Sequence, residues 1–288
     1  MRNSRPLHEI AHDDGADRWR MTYARPAAAL GRLVDGYVGY TEHTTSFTAR
    51  RELASTQTVL IFALGDPLAI TGVDGAEIVL KAGEAFVAGM ADGTSVSRAS
   101  GPQEGVHIAM PAATLSALCG APLAEIANRA APLSDLVGIA AYDLGHRLGE
   151  APTLLDRFDL LDDFLMMRLA DVRPEDGVIR WAMTQLSSDA PPSVSALAAE
   201  IGWSRKHFAQ RFAAVTGFNP QAYRRLARFE RFTTAIRAAP DDSLAGLAAD
   251  AGYHDQPHMT REVQAFSNMS PGELRQRIIP GGGGIRED

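Results

Sequence analysis

Hydrophobic and polar positions along the first part of the chain alternate over short distances. From about Trp19 to Met110, turn-forming pairs such as Gly-Asp, Asp-Gly and Gly-Pro separate short apolar runs at residues 33–40, 58–64, 77–80, 85–90 and 106–110. Short strands with frequent turns are typical of a barrel or a sandwich. The pattern therefore predicts a β-rich domain over residues 1–112.

The pattern changes to a helical period in residues 113–173. Apolar side chains recur there at three- and four-residue spacing, at Leu115, Leu118, Cys119, Phe158, Leu161, Leu165 and Leu169. This spacing predicts two or three amphipathic helices that form a linker and dimerisation region. The polar stretch Arg173–Gly177 is interpreted as a linker to a helical domain at residues 174–279. The glycine-rich residues 280–288 are predicted to form a flexible tail.

The helical C-terminal region contains an internal repeat. Residues 193–220 and 243–271 share one pattern, in which Ser193, Leu197, Ala198, Gly202 and Trp203 correspond to Ser243, Leu247, Ala248, Gly252 and Tyr253, and Phe208, Phe212, Gly217 and Pro220 correspond to Met259, Val263, Asn268 and Pro271. Each copy predicts a helix that begins at a serine cap, a turn at glycine, and a second helix with one buried face. The second helices begin at the predicted caps Ser204 and Asp255.

A further helix, the connecting helix, is predicted between the two copies. It begins at Asn219-Pro220, because proline is favoured in a first turn, and runs to Ala238. Nineteen residues at 1.5 Å each span about 28 Å, a length suited to holding two recognition helices about one DNA turn, roughly 34 Å, apart. An ordinary helical hairpin is the alternative for either copy alone, and the repetition argues against it.

The charge distribution changes what the net charge of -7 implies. Residues 1–189 contain 16 Arg and Lys against 25 Asp and Glu, whereas residues 190–279 contain 11 against 8. Within 202–237, eight basic residues face the single acid Glu230. Basic charge confined to one segment of an acidic protein is typical of a phosphate-binding surface. A solvated helix face is the alternative that charge alone leaves open.

The C-terminal region closely resembles the AraC/XylS family of bacterial transcription regulators. The resemblance covers Asp176 to about Arg277 and rests on Leu197-Ala198, Gly202-Trp203-Ser204, Phe208, Phe212, Thr216-Gly217, Pro220, Leu247-Ala248, Gly252-Tyr253, Asp255-Gln256, Met259, Arg261 and Pro271. It implies that the two motifs enter successive major grooves on one face of the DNA. It also implies an α+β fold: an N-terminal cupin-like β-barrel with a helical linker, followed by an all-α double helix-turn-helix domain.

Carried over by position, the resemblance also implies which residues contact DNA. The base-reading candidates are Arg205, Lys206, Ala209, Gln210, Gln256, His258 and Arg261. Ser204 and, on the connecting helix, Arg225 and Arg228 are phosphate-contact candidates. Two departures matter: Gln210 stands where arginine is common, which shifts the preference from guanine towards adenine, and Pro257 removes a polar reader.

The predicted partners follow from this resemblance. They are a double-stranded DNA operator and a second copy of the chain, with RNA polymerase and a small-molecule effector left open. No run of 18 apolar residues and no leader pattern is present, so we expect a cytoplasmic protein without a membrane partner.

A cupin-type enzyme is the alternative from another class. It would need about three histidines and a carboxylate around one barrel interior, but residues 19–110 contain only His43 and His107. We therefore predict no catalytic residues, no metal site and no cofactor. Cys119 is expected to behave as a small buried hydrophobe rather than a redox sensor. Whether the barrel interior holds an effector or is filled by side chains, making the domain purely structural, remains open at this point.

Overall fold

The N-terminal domain consists of two antiparallel sheets. The computed structural model describes residues 5–170, 177–278 and 284–287. The strands are β1 (Leu7–Asp13), β2 (Asp17–Ala24), β3 (Gly36–Thr44), β4 (Ala49–Glu52), β5 (Thr58–Ala63), β6 (Leu68–Thr71), β7 (Glu77–Leu80), β8 (Ala85–Ala88), β9 (Ser95–Ala99), β10 (Gln103–Met110), β11 (Ala130–Pro132) and β12 (Ile285–Glu287). One sheet has the order β1-β2-β3-β10-β5-β8-β11 and the other β12-β4-β9-β6-β7.

The central strand β10 divides its side chains between two environments. Val106, Ile108 and Met110 are buried in a core shared with helices. Gln103 and His107, which project from the opposite face, line a cavity between the two sheets. This alternation follows from the two-residue period of a strand. It places a helix-covered face and a cavity face on the same sheet.

The helical region after the sheets differs in detail from the prediction. Instead of two or three helices, its described residues contain four α-helices: α1 (Ala112–Cys119), α2 (Leu133–Val137), α3 (Ile139–Glu150) and α4 (Leu154–Arg168). Gly138, at φ +69° and ψ -146°, separates α2 from α3, because this positive-φ, extended conformation interrupts the helix. Strand β11, which was not predicted, pairs with β8 and widens the first sheet.

The C-terminal domain is entirely helical from residue 177 to residue 277, apart from its turns. Its helices are α5 (Gly177–Leu186), α6 (Val194–Ile201), α7 (Arg205–Thr216), α8 (Pro220–Ala238), α9 (Leu244–Asp250), α10 (Gln256–Ser267) and α11 (Pro271–Arg277). The α+β class predicted from the sequence is confirmed. The proposed linker at residues 173–177 lies almost wholly outside the described residues, so the predicted domain boundaries remain predictions.

Two hydrophobic cores connect the domains. The larger one runs from the first sheet through α1 and α4 to Phe208, Phe212 and Tyr223 of the helical domain. A second core is built around α8, α9 and α10 and includes Ala54 and Ile285. The helical domain is therefore packed against the sheets through apolar side chains. None of the helices in the described ranges has the length and apolar character needed to cross a membrane.

The last described residues correct the predicted flexible tail. Strand β12 pairs with β4, with Ile285 opposite Arg51 and Glu287 opposite Ala49. Ile285 is fully buried, and the Arg51 guanidinium lies 2.6 Å from a Glu287 carboxylate oxygen. Residues 285–287 therefore form an ordered part of the second sheet. The glycine-rich residues 280–283 lie outside the described part of the chain.

Candidate DNA-binding surface

Each helix of the two repeat copies begins at the cap that the sequence predicts. In the first helices, Ser193 Oγ accepts a hydrogen bond from the Ala196 N–H at 3.1 Å, and Ser243 Oγ accepts one from the Gly246 N–H at 3.0 Å. In the second helices, Ser204 Oγ accepts a hydrogen bond from the His207 N–H at 3.2 Å, and Asp255 Oδ1 accepts one from the His258 N–H at 2.7 Å. These bonds satisfy amide groups that a helix start leaves free. The structure thus contains two helix-turn-helix units, α6-α7 and α9-α10.

The turns and the ends of the recognition helices also match between the copies. Gly202 and Gly252 adopt φ values of +80° and +91° in the two turns. Gly217 ends α7 and Asn268 ends α10, both in the left-handed conformation. Glycine and asparagine are the residues that tolerate this conformation best. The predicted correspondence of Gly217 with Asn268 therefore has a physical basis.

The first recognition helix, α7, has one buried and one exposed face. Phe208 and Phe212 are fully buried, and their rings lie edge to face at 5.7 Å. Arg205, Lys206 and Gln210 are exposed, and Ala209 is partly buried at the margin. The structure therefore places the predicted base readers of this helix on or beside its solvent face.

The predicted base-reading residues of the second recognition helix, α10, lie in different environments. Gln256 and Arg261 are exposed, whereas His258 is partly buried and its Nε2 lies 3.2 Å from a Glu262 carboxylate oxygen. Arg261 Nε donates to the Pro257 carbonyl at 3.3 Å. Across the described residues, Arg261 forms no ion pair with Asp255 or Glu262. The Arg261 guanidinium is available to an external partner, whereas the His258 imidazole already faces Arg228 of α8.

A buried carboxylate joins the connecting helix α8 to α10. Glu262 is 2% exposed and accepts bonds from Arg228 at 2.7 and 3.1 Å and from Arg225 at 2.9 Å. Burial opposes the ionisation of Glu262, but the hydrogen bonds and the charge of Arg228 outweigh it, so the pKa of the carboxyl lies below its usual value. These bonds fix the orientation of α10 relative to α8.

This arrangement corrects the prediction for Arg228. Its side chain is only 13% exposed and its guanidinium is bound to Glu262 and stacked over the Tyr253 ring. It therefore stabilises the packing of the two helices instead of being free for phosphate. Arg225 is half exposed, and Ser204 is exposed beside the start of α7, so both remain phosphate-contact predictions.

Further basic residues of the segment 202–237 also form contacts within the protein. Arg231 donates to the backbone carbonyls of Ser187 and Ala251, at 2.9 and 3.2 Å. Arg237 is largely buried beside Glu52 of the N-terminal domain. The count of basic residues in 202–237 therefore exceeds the charge that this surface presents to solvent. The spacing of Arg225 and Arg228 on one helix face was the available signal for a buried acidic partner.

The residues considered for enzyme chemistry do not converge. His43 is exposed and His107 lines the cavity between the sheets. The described ranges contain no group of three His, Cys, Asp or Glu side chains placed to hold a metal. Burial raises the pKa of the Cys119 thiol to about 11, which disfavours the reactive thiolate.

Comparison with known proteins agrees with this geometry. Residues 197–277 match the family model described as a helix-turn-helix domain. The MmsAB operon regulatory protein of Pseudomonas aeruginosa is 31% identical over 88 residues, which are 31% of this chain and 28% of that regulator's length. The C-terminal region is an AraC-type helix-turn-helix domain. The match to the curated relative thus spans less than a third of its length.

Solved structures of ToxT from Vibrio cholerae show a more distant similarity. One of them is 7% identical, covers 83% of this chain and 98% of its own, and superimposes with a TM-score of 0.49. Another, described as bound to an unsaturated fatty acid, is 8% identical with a TM-score of 0.46 and covers 92% of this chain and 97% of its own.

Proposed function

We propose that this protein is a sequence-specific DNA-binding transcriptional regulator that acts in the cytoplasm. The observation that carries the proposal is the pair of helix-turn-helix units, each packed against the connecting helix α8. A recognition helix of such a unit enters the major groove with its polar side chains towards the bases. Two of them on one rigid support would enter successive grooves of a single operator.

The contacts with DNA divide into two kinds under this proposal. Arg205, Lys206, Gln210, Gln256 and Arg261 read base edges, because their side chains are exposed on α7 and α10. Ala209 and His258 lie at the margins of the same surface and contribute apolar and water-mediated contacts. Ser204 and Arg225 contact phosphates, which position the protein without carrying sequence information.

Dimerisation is a further part of the proposal. Helices α3 and α4 pack against each other and expose large apolar side chains, with Ile139 at 73% and Met167 at 67%. Clustered exposed apolar residues mark interaction sites. A second copy of the chain bound there would give two DNA-binding modules at high effective concentration. Sedimentation of the full chain as a monomer at all working concentrations would contradict this part.

Control by a small-molecule effector is supported by the space between the two sheets. The cavity there has a volume of about 620 Å³, within the usual range for ligand sites. A purely structural domain would be expected to fill this space with side chains. Contact with RNA polymerase is the remaining step by which such a regulator would act on transcription.

The proposed function is tested by selecting binding sites from a random DNA library with the full-length protein. We expect enrichment of one sequence with two half-motifs about one helical turn apart, and genome-wide mapping of bound DNA should then locate the operator and its genes. Affinity should fall steeply with salt, since phosphate contacts release counterions. Equal binding to all sequences would refute sequence-specific regulation.

A further inference from the structure

The cavity between the two sheets has a wall of aromatic and aliphatic side chains. Its apolar lining comes mainly from β3, β5, β6 and β8 and includes Tyr40, Val59, Ile61, Ile70 and Phe86. The Phe47 ring belongs to the same lining. Burial of apolar surface is the main source of affinity for a small ligand in such a site. The wall therefore favours a flat, mainly apolar molecule.

The two arginines of the lining already have counter-ions. The Arg50 guanidinium is bound to Glu42, and Arg129 lies 3.1 Å from Asp74. Burial raises the pKa of Glu52 in spite of the nearby charges of Arg50 and Arg237, which favours the neutral form of this carboxyl group. A charged ligand would need a counter-ion that this lining does not have free, and burying an unpaired charge is costly. The lining therefore disfavours both anions and cations.

Two lining residues have a buried polar atom without a hydrogen-bond partner in the described structure, Arg50 at Nε and His107 at Nε2, and only His107 belongs to an uncharged ring. His107 Nε2 is buried and has no hydrogen-bond partner within the described structure. Burial lowers the pKa of His107 to about 4, so the ring is neutral at neutral pH. A neutral imidazole can pair with either a donor or an acceptor. Unpaired buried polar atoms are rare in folded proteins, and a hydroxyl group on a ligand would satisfy this one.

We propose that the cavity between the two sheets binds an uncharged aromatic molecule that carries a hydroxyl group, with the hydroxyl bonded to His107. This inference deepens the proposed function by naming the class of effector, and it rests on that function only for the effect on transcription. The ring system packs against the apolar wall, and the hydroxyl selects against purely apolar molecules of the same shape.

The proposal is tested with four probes that share one ring system: naphthalene, 2-naphthol, 2-naphthoate and 2-naphthylmethylamine. Binding to the full-length protein is measured by calorimetry at pH 7, where the last two probes are charged. We expect 2-naphthol to bind most tightly. His107→Phe should weaken 2-naphthol about fivefold, the equivalent of one hydrogen bond, and leave naphthalene unchanged.

Two further variants locate the site. Ala88 lines the cavity on β8, so Ala88→Phe should fill it and abolish binding of 2-naphthol. Ala69→Phe is the matched control, because Ala69 lies between the lining residues Leu68 and Ile70 and faces away. Circular dichroism and a melting curve establish that each variant is folded.

The outcomes separate this inference from the proposed function. The inference would be overturned by tightest binding of a charged probe, by equal loss of affinity in Ala88→Phe and Ala69→Phe, or by no binding of any probe up to its solubility. The same preparations are tested for DNA selection. Protein that selects one DNA sequence but binds no probe contradicts only the ligand site, and protein that binds 2-naphthol but no DNA contradicts only the regulatory function.

Discussion

Arg261 and Arg225 carry the same charge but have different surroundings. Arg261 is exposed on α10 and its only described polar contact is the Pro257 carbonyl, whereas Arg225 is bonded to Glu262 on one side. A guanidinium that faces a major groove can bond O6 and N7 of guanine together. These surroundings predict a base-reading role for Arg261 and a backbone role for Arg225.

Arg261→Ala should therefore cost about 1–3 kcal/mol on the selected operator and remove the preference at one base pair. Arg225→Ala should weaken binding to all sequences alike and reduce the salt slope by about one unit. Binding-site selection and salt titrations on both variants measure these effects. Unchanged base preferences in Arg261→Ala, with uniformly weaker binding, would show that Arg261 does not read sequence.

Glu262 makes the stability of the helical domain depend on pH. Because its pKa is lowered in the folded protein, its ionised form contributes stability that is present above the unfolded-state pKa, about 4.3, and is lost as the pH falls through the folded-state pKa. Glu262→Gln should lower the free energy of unfolding by about 1–3 kcal/mol at pH 7. Urea denaturation at several pH values should show this difference shrinking below pH 4. A difference independent of pH would contradict the ionic role.

Individual caps could be predicted from the sequence, but the role of Arg228 could not. Ser204 and Asp255 bond to amides three residues away, so the local sequence contains all the information needed. The partner of Arg228 lies 34 residues away on another helix. Only the packing of α8 against α10 brings these side chains together.

At the scale of elements, helices could be predicted from local sequence, whereas an edge strand that depends on tertiary contacts could not. The 19 residues of α8 were predicted from its cap and its period, and the structure confirms both of its ends. Strand β12 was missed because Ile285–Glu287 is too short for a two-residue period to be visible. Its pairing with β4 depends on a tertiary contact, in which Ile285 enters the core around α8.

Strand β12 is expected to protect the edge of β4. Ile285→Ser would remove its buried anchor and leave the β4 amides that face β12 open to solvent. Hydrogen exchange should then become faster in residues 49–52 while α7 remains protected. Arg286→Ala is the control, because Arg286 is partly exposed and its backbone pairing does not need its side chain. Equal exchange in wild type and Ile285→Ser would show that β12 does not stabilise this edge.

At the scale of the whole molecule, the sequence predicted two domains but not the way in which they join. Patterns of period two and of period 3.6 identify elements and one buried face for each. They do not identify which other part of the chain packs against that face. In the structure, the end of α7 packs against residues 123–127, which follow α1. This contact and the shared core make the DNA-binding unit nearest the sheets part of one packed body.

Gly217 and Gly202 allow this contact to be tested. Both end a helix in the left-handed conformation, at φ +78° and +80°. A Cβ added at Gly217 would lie 2.5 Å from the Ala127 Cβ, whereas one added at Gly202 would meet nothing within 4 Å. Gly202→Ala should therefore cost only the backbone strain, about 1–2 kcal/mol.

Gly217→Ala should cost the same strain and a further contribution of about 1–3 kcal/mol from overpacking against Ala127. The free energy of unfolding in urea measures both variants, and the difference between them isolates the contact between the domains. The double variant Gly217→Ala with Ala127→Gly removes the facing Cβ and should recover most of that difference. If both single variants lose the same stability, the end of α7 is not held against residues 123–127 in solution, and the two domains are coupled elsewhere.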